Sequence, residues 1–415
     1  MIGLNQILFW YVLLEQIMNL AIVSPYPPEI TGIGQYGYHV SRSLAQSEQF
    51  SRIAVLAGSR ATSPNKVLPS TMTVDYVWKP DHLGIGRAIL ADLQRLNPDL
   101  VWFNLGASVF GRSPLANLIG YMSLLLVQLS GLPTVVTLHE LVELTDLKTL
   151  NAPGGRLAII GARLLTQIVS RADVVCLTIQ RYVSWFSTHK PNLACVHIPI
   201  GAYYNPECLQ DATSPELLFF STLAPYKGLE VLLSAYLSLL PWQPNLRLTI
   251  AGTEHPRFPG YAESMREKYA HLPGVRWLGK VPEEQIRPLF EQAQIVILPY
   301  LASTGSSSVI LQAGMWGRAL VASDIPEIRL LSKENGLDVN FFTNRDPVSL
   351  AEAIKFLIAS PVSRKAQIEH NFNALQHLRP EATCRAYLQA FNIALEARQS
   401  PKRINIPSQF PSELA

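Results

Sequence analysis

The chain has 415 residues, 48% of them hydrophobic and 16% charged, with a formal net charge of +3. That composition supplies large buried cores and excludes a disordered chain. The length corresponds to roughly two or three domains. The charge is too small for a protein that grips nucleic acid through its phosphates. Residues 18–205 carry 14 Lys and Arg against 10 Asp and Glu, whereas residues 206–415 carry 20 of each. The mild basic excess of the first half allows contact with an anionic membrane without requiring it. Four cysteines, Cys176, Cys195, Cys208 and Cys384, show no paired spacing. They suggest neither a disulfide framework nor a zinc site, and a reducing cytoplasm suits them.

The opening stretch Leu4–Leu14 is an apolar run closed by Glu15. It lacks a basic flank and a cleavage site, and it is shorter than the ~20 residues of a membrane span. Met18 then leads straight into a strand-like segment, so residues 1–17 read as an extension upstream of the natural start, with a short interfacial anchor as the alternative. From there, apolar runs alternate with helical patterns. The predicted strands of the first half are Leu20–Ser24, Ile53–Ala57, Thr73–Trp78, Leu100–Asn104, Thr134–Leu138, Val174–Thr178 and Ala194–Ile198, with helices such as Gln35–Ala45 and Arg156–Val169 between them. The apolar stretch Leu115–Leu129 is interrupted by Gly120, Ser123 and Gln128, which favours a core helix over a lipid-facing one. Strands that are apolar throughout belong to a parallel sheet covered on both faces. Their alternation with helices predicts an α/β fold of doubly wound βαβ units.

Gly201–Pro215 breaks the pattern as a linker, and a second series follows. It runs strand Leu217–Ser221, helix Gly228–Leu239, strand Leu246–Ala251, helix Tyr261–His271 and strand Val275–Leu278. Helix Glu283–Gln292, strand Gln294–Leu298, helix Ser306–Trp316, strand Ala319–Ala322 and a strand near Asp338–Phe342 complete it. The expected organisation is a first Rossmann-like domain over 18–205, a second over 206–380 and a crossover helix over 381–399. Residues 400–415 form a loose tail.

Four strand-to-helix junctions can carry chemistry, because ligands of open α/β sheets bind at the carboxyl ends of strands. The first holds Gly32, Gly34 and Gly37 after a proline-rich loop. Glycine there lets backbone approach a phosphate at a helix N-terminus, and an ordinary turn fits the residues equally well. The bare glycine spacing also matches a dinucleotide site, but no acidic residue near Ala57-Gly58 ends the next strand to hold a ribose. The second is Thr137-Leu138-His139-Glu140, where His139 can donate a hydrogen bond to a substrate hydroxyl or reacting oxygen. The third is Pro225-Tyr226-Lys227-Gly228, which sets a lysine charge beside a helix N-terminus and suits a pyrophosphate. The fourth is Thr304-Gly305-Ser306-Ser307-Ser308, more small and hydroxyl residues than one helix cap needs.

Taken together, these junctions resemble the family-4 retaining glycosyltransferases of the GT-B fold. The likeness spans roughly Met18 to Ala397 and includes the later strand segment Val321-Ala322-Ser323-Asp324. It implies two Rossmann-like domains around an interdomain cleft, with carboxyl-terminal helices packing back across the linker. The first domain would bind the acceptor and the second a UDP- or GDP-type sugar. The resemblance assigns Lys227 to the diphosphate, with backbone N–H groups of Gly32–Gly34 and Gly305–Ser307, and His139 to the region of the reacting carbon. Three positions depart from the family pattern. Thr31 replaces one of two adjacent glycines, neither Thr222 nor Ala224 supplies the usual arginine, and the paired glutamates fall on Thr304 and Gln312. Gln312 can still bond a ribose hydroxyl.

The expected activity is hexosyl transfer to an acceptor hydroxyl with retention of configuration, the leaving phosphate taking the acceptor's proton. No cofactor or metal is expected, since no Asp-x-Asp cluster is present. The expected partners are the nucleotide sugar and a lipid-linked or saccharide acceptor, with peripheral contact at the inner membrane face allowed and nucleic acid excluded. A non-catalytic sugar-nucleotide or glycan binder of the same fold is the alternative.

Overall fold

The computed structural model describes residues 18–28, 31–58, 68–106, 108–144, 155–201, 203–303 and 305–399. The amino-terminal extension, Thr304 and the carboxyl-terminal tail lie outside them. Among the described residues the chain divides into two compact units, one holding residues 18–144, 155–203 and 380–399, the other 204–379.

The first unit is built on seven parallel strands in the order β3-β2-β1-β4-β5-β6-β7. They are β1 Met18–Val23, β2 Phe50–Gly58, β3 Met72–Trp78, β4 Leu100–Leu105, β5 Thr134–Leu138, β6 Val174–Leu177 and β7 Ala194–His197. Every residue of β4 and β5 is buried, because helices cover both faces of a doubly wound sheet. The strand order reverses direction between β1 and β4, the topological switch point of such a sheet. Asn104 of β4 lies level with Thr137 of β5, and Leu105 with Leu138.

Helix α1, Gly32–Ala45, begins three residues earlier than the apolar periodicity suggests. Thr31 is its N-cap and accepts the Gly34 N–H at 2.9 Å, so two of the three glycines form the helix's first turn rather than a loop. Four further helices follow in this part of the chain: α2 Ile85–Leu96, α3 Pro114–Leu129, α4 Gly155–Val169 and α5 Gln180–His189. In α3 the small residues Gly120 and Ser123 face the core, while Leu115, Met122, Leu126 and Leu129 are exposed. The helix thus packs one face on the core and leaves the other in solvent. Gly120 is small because a Cβ there would stand 2.2 Å from the Phe110 ring, so its smallness reports close inner packing and says nothing about the outer face.

The second unit has six parallel strands in the order β10-β9-β8-β11-β12-β13. They are β8 Glu216–Phe220, β9 Arg247–Ala251, β10 Val275–Gly279, β11 Ile295–Leu298, β12 Ala319–Ser323 and β13 Asn340–Phe342. Its switch point lies between β8 and β11. The helices are α6 Leu229–Leu239, α7 Tyr261–Lys268, α8 Glu283–Gln292, α9 Ser308–Met315, α10 Pro326–Glu334, α11 Pro347–Ala359 and α12 Pro361–Ala374. The buried Arg318 guanidinium donates to the carbonyls of Leu209, Gln210, Ala293 and Trp316. That single side chain therefore fastens the incoming strand-to-unit connection to the second core.

The last helix, α13, Pro380–Gln399, belongs to the first unit. Its Tyr387 is fully buried against Trp102 and shares hydrogen bonds with Thr137 Oγ1 at 2.7 Å and Tyr36 Oη at 2.9 Å.

Candidate active site

At the switch point of the first unit, three strand ends converge on one hydrogen-bonded chain. The Ser24 hydroxyl, just beyond β1, donates to the Pro25 carbonyl at 2.7 Å. Asn104 at the end of β4 donates from Nδ2 to Ser24 Oγ at 2.9 Å and to the Ile33 carbonyl at 3.0 Å. Because a carbonyl can only accept, the Asn104 amide nitrogen must face Ile33 and its Oδ1 must face the other way. That Oδ1 lies 2.7 Å from His139 Nε2, so Nε2 carries the proton and Nδ1 is left as an acceptor.

His139 is only 7% exposed, and burial lowers its pKa from 6.5 to about 3. The imidazole is therefore neutral throughout the physiological range. The Tyr36 ring packs edge-on against it at 4.9 Å, and Tyr36 is in turn bonded to Tyr387. The sequence suggests His139 as a donor to substrate. Here its one donor is committed to Asn104, and what it offers is the Nδ1 lone pair.

The three glycines separate in role. A Cβ on Gly37 would stand 2.5 Å from Ser24 Oγ and 2.9 Å from Asn104 Nδ2, so α1 passes this close to the network only with glycine there. A Cβ on Gly34 would meet Thr31 Oγ1 at 2.9 Å, whereas Gly32 faces open space. Since Thr31 takes the Gly34 N–H, the first-turn donors that no intrahelical carbonyl reaches are those of Gly32 and Ile33.

In the second unit, Pro225–Lys227 form a single 3-10 turn after β8. Gly228 follows with φ +70°, and a Cβ there would lie 1.7 Å from the Pro299 carbonyl oxygen. The Tyr226 carbonyl accepts the Leu301 N–H at 2.8 Å, which ties this turn to the end of β11. Lys227 Nζ rests 3.7 Å from the centroid of the buried Tyr300 ring. The ring quadrupole holds the ammonium without neutralising its charge. Among the described residues no carboxylate lies within ion-pair distance of Lys227.

The loop after β9 is fastened to the same turn. Leu223 N–H donates to the Thr253 carbonyl at 2.8 Å, and His255 N–H to the Leu223 carbonyl at 2.9 Å. The Tyr226 ring meets His255 at 6.1 Å and Phe258 at 5.9 Å. Burial, then the positive charges of Arg257 and Lys227, hold the His255 pKa below its ordinary value. A second cation, Arg257, thus stands in the electrostatic neighbourhood of Lys227. In the sequence the family pattern points to positions 222 and 224, which hold Thr and Ala.

Beyond β11, the Ser303 hydroxyl donates to the Gly305 carbonyl at 3.1 Å. Ser307 precedes α9 in an extended conformation without a side-chain cap. Gln312, one turn into that helix, is 7% exposed, and its Oε1 is buried without a hydrogen-bond partner. Gly305, Ser306, Ser307 and Gln312 therefore stand beside β8's neighbour at the switch point, with Lys227 at the end of β8 itself. Ser24, Asn104 and Tyr36 are functional candidates that do not stand out in the sequence. A lone Asn closing the apolar run Leu100–Asn104 is the one signal that marks them.

Residues 214–360 match the family model described as glycosyl transferases group 1. A phosphatidyl-myo-inositol mannosyltransferase of Mycolicibacterium smegmatis is 30% identical over 106 residues, which cover 25% of this chain and 26% of that protein. Among solved structures, sucrose-phosphate synthase from Thermosynechococcus elongatus superposes with a TM-score of 0.71 at 16% identity, covering 91% of this chain and 99% of that one. HepE of Anabaena, in complex with UDP-glucose, superposes with a TM-score of 0.66 at 15% identity, covering 90% of this chain and 99% of its own. The protein therefore has the two-domain α/β fold of the GT-B glycosyltransferases, and within its second unit residues 214–360 are similar to the glycosyl transferases group 1 model.

Proposed function

We propose that the protein is a retaining, family-4-type hexosyltransferase that moves a sugar from a nucleotide diphosphate donor to an acceptor hydroxyl. The carrying observation is Lys227, held on the Tyr300 ring at a switch point with no carboxylate among the described residues to neutralise it. Such a cation suits a diphosphate, whose charge grows as the glycosidic bond breaks. Arg257 adds the second positive charge that positions 222 and 224 lack. The N–H groups of Gly305–Ser307 provide neutral donors, and Gln312 Oε1 accepts a ribose hydroxyl. UDP is the first choice of nucleotide, because the structurally similar HepE is seen with UDP-glucose, and GDP is the second.

The first unit takes the acceptor, lipid-linked or saccharide. His139 accepts a sugar hydroxyl at Nδ1 and remains neutral while doing so. The leaving phosphate takes the acceptor's proton, and retention follows from attack on the face it leaves. With lysine and arginine supplying the positive charge, this reading assigns no metal.

Calorimetric titration with UDP, GDP and ADP tests the reading, with Lys227→Ala beside the native chain. Native protein binds UDP, and the variant binds it about a hundredfold more weakly, the loss of roughly 3 kcal/mol expected for one oxyanion donor. Equal affinity in the two proteins removes Lys227 from the donor site.

A further inference from the structure

Helix α3 presents an outer face with no polar residue on it. Leu115, Met122, Leu126 and Leu129 recur at helical spacing along it and are exposed, Leu129 to 83%. Leu118, Ile119 and Leu125 fill the half-buried flanks between them. Helix α4 packs beside α3 and continues the surface with exposed Ile159, Ile160 and Leu164. Neither helix contains an acidic residue.

Arginines border the patch: Arg112 ahead of α3, Arg163 on α4, Arg171 just after it, and Arg87 on the neighbouring α2, all exposed. Three acidic groups nearby are held within the first unit by hydrogen bonds or an ion pair. Glu143 accepts from Thr166 at 3.1 Å, Asp81 from the Ser113 N–H at 2.6 Å, and Asp173 pairs with Arg398 at 2.9 Å. Elsewhere the exposed apolar residues are interspersed with charge, as on α11, where Val348 and Phe356 share the helix with Glu352 and Lys355.

We infer that the outer face of α3 and α4 docks on an anionic lipid bilayer, with the leucines and isoleucines entering the interfacial layer and the arginines meeting the headgroups. Charge complementarity selects this occupant. A second copy of the chain would set one arginine border against another around an isologous contact, whereas an anionic surface takes the apolar stripe and the border together. Among the described residues no helix is long and apolar enough to cross a membrane, and a 16-residue helix lying flat is the geometry the patch offers. The inference goes beyond the proposed transfer reaction and stands without it.

Vesicle co-sedimentation of the full chain is the test, using phosphatidylcholine alone and phosphatidylcholine with about a third phosphatidylserine. The native chain sediments with the anionic vesicles and far less with the neutral ones. The double variant Met122→Glu/Leu126→Glu lowers that partitioning at least tenfold while keeping the native melting temperature, since both side chains are already in solvent. Arg163→Gln and Arg171→Gln each weaken anionic binding by about fivefold and leave neutral vesicles unaffected. The double variant binding vesicles as well as the native chain overturns the inference and shifts the binding to the apolar residues before Met18. A native dimer in light scattering that the double variant abolishes overturns it in favour of a second copy.

Discussion

The two switch points are built on opposite principles. In the first unit the polar groups at the strand ends satisfy one another: Ser24, Asn104 and His139 form a closed chain ending on backbone carbonyls. In the second unit two are left wanting: among the described residues Lys227 has ring faces and no carboxylate beside it, and Gln312 Oε1 is buried without a donor. A completed network is rigid before any ligand arrives and can present one fixed, uncharged acceptor. An incomplete one keeps an unmet demand for charge and hydrogen bonds that a bound anion fulfils. The contrast makes the second unit the one whose properties should change most on binding nucleotide.

Glycine substitutions break the comparison most strongly. Gly228→Ala forces an L-residue to φ +70° with its Cβ 1.7 Å from a backbone carbonyl that cannot rotate away. The left-handed conformation alone costs about 1–2 kcal/mol, and relieving the clash moves the turn that carries Lys227. We expect a loss of at least about 2 kcal/mol in urea unfolding together with loss of UDP binding. Gly37→Ala, at a helical position where the obstructing atom is the Ser24 hydroxyl 2.5 Å away, should destabilise less and leave UDP binding intact. Equal effects from the two would mean that the second site is no more dependent on its backbone geometry than the first.

Much of this architecture is legible in the sequence, and the exceptions share a cause. The strands stand out because a parallel sheet buried on both faces demands uninterrupted apolar runs. His139 and Lys227 stand out because they end such runs. Tyr300, His255 and Arg257 do not, since they reach Lys227 only through the strand order β9-β8-β11, which chain order conceals. Asn104 is hidden differently: it looks like a turn residue until β1, β4 and β5 are side by side. Leu115–Leu129 misleads because its interrupting small residues face inward, Gly120 against the Phe110 ring, so the uninterrupted stripe is on the outside.

Acid sharpens the comparison through His139. Its folded pKa of about 3 lies below the ordinary 6.5, so the unfolded chain takes up the proton first as pH falls. The stability due to a neutral His139 is complete above about pH 6.5 and declines as pH drops from there toward 3. The slope approaches 1.4 kcal/mol per pH unit, or about 2 kcal/mol between pH 7 and pH 5. His139→Gln keeps a donor for Asn104 Oδ1 and removes the titration. Urea midpoints at the two pH values should therefore fall less in the variant than in the native chain. The same pH dependence in both would place the titrating group elsewhere, with His255 the next to test because its pKa is also lowered.

The smallest effect separates an unmet demand from a merely inefficient core. Gln312→Leu exchanges a buried, unpartnered acceptor for an apolar side chain of similar size. Removing a polar atom that has no partner in the free protein should leave stability unchanged or raise it by about 1 kcal/mol. If Oε1 accepts a ribose hydroxyl, the same variant should bind UDP roughly tenfold more weakly, which corresponds to one hydrogen bond at a buried site. Thermal unfolding of the free protein and UDP titration read the two halves independently. A free protein that gains stability while its nucleotide affinity falls identifies a group kept unsatisfied for its ligand. A variant that loses stability and binds UDP normally shows instead that the acceptor is satisfied in the free state, and the contrast between the two units then rests on Lys227 alone.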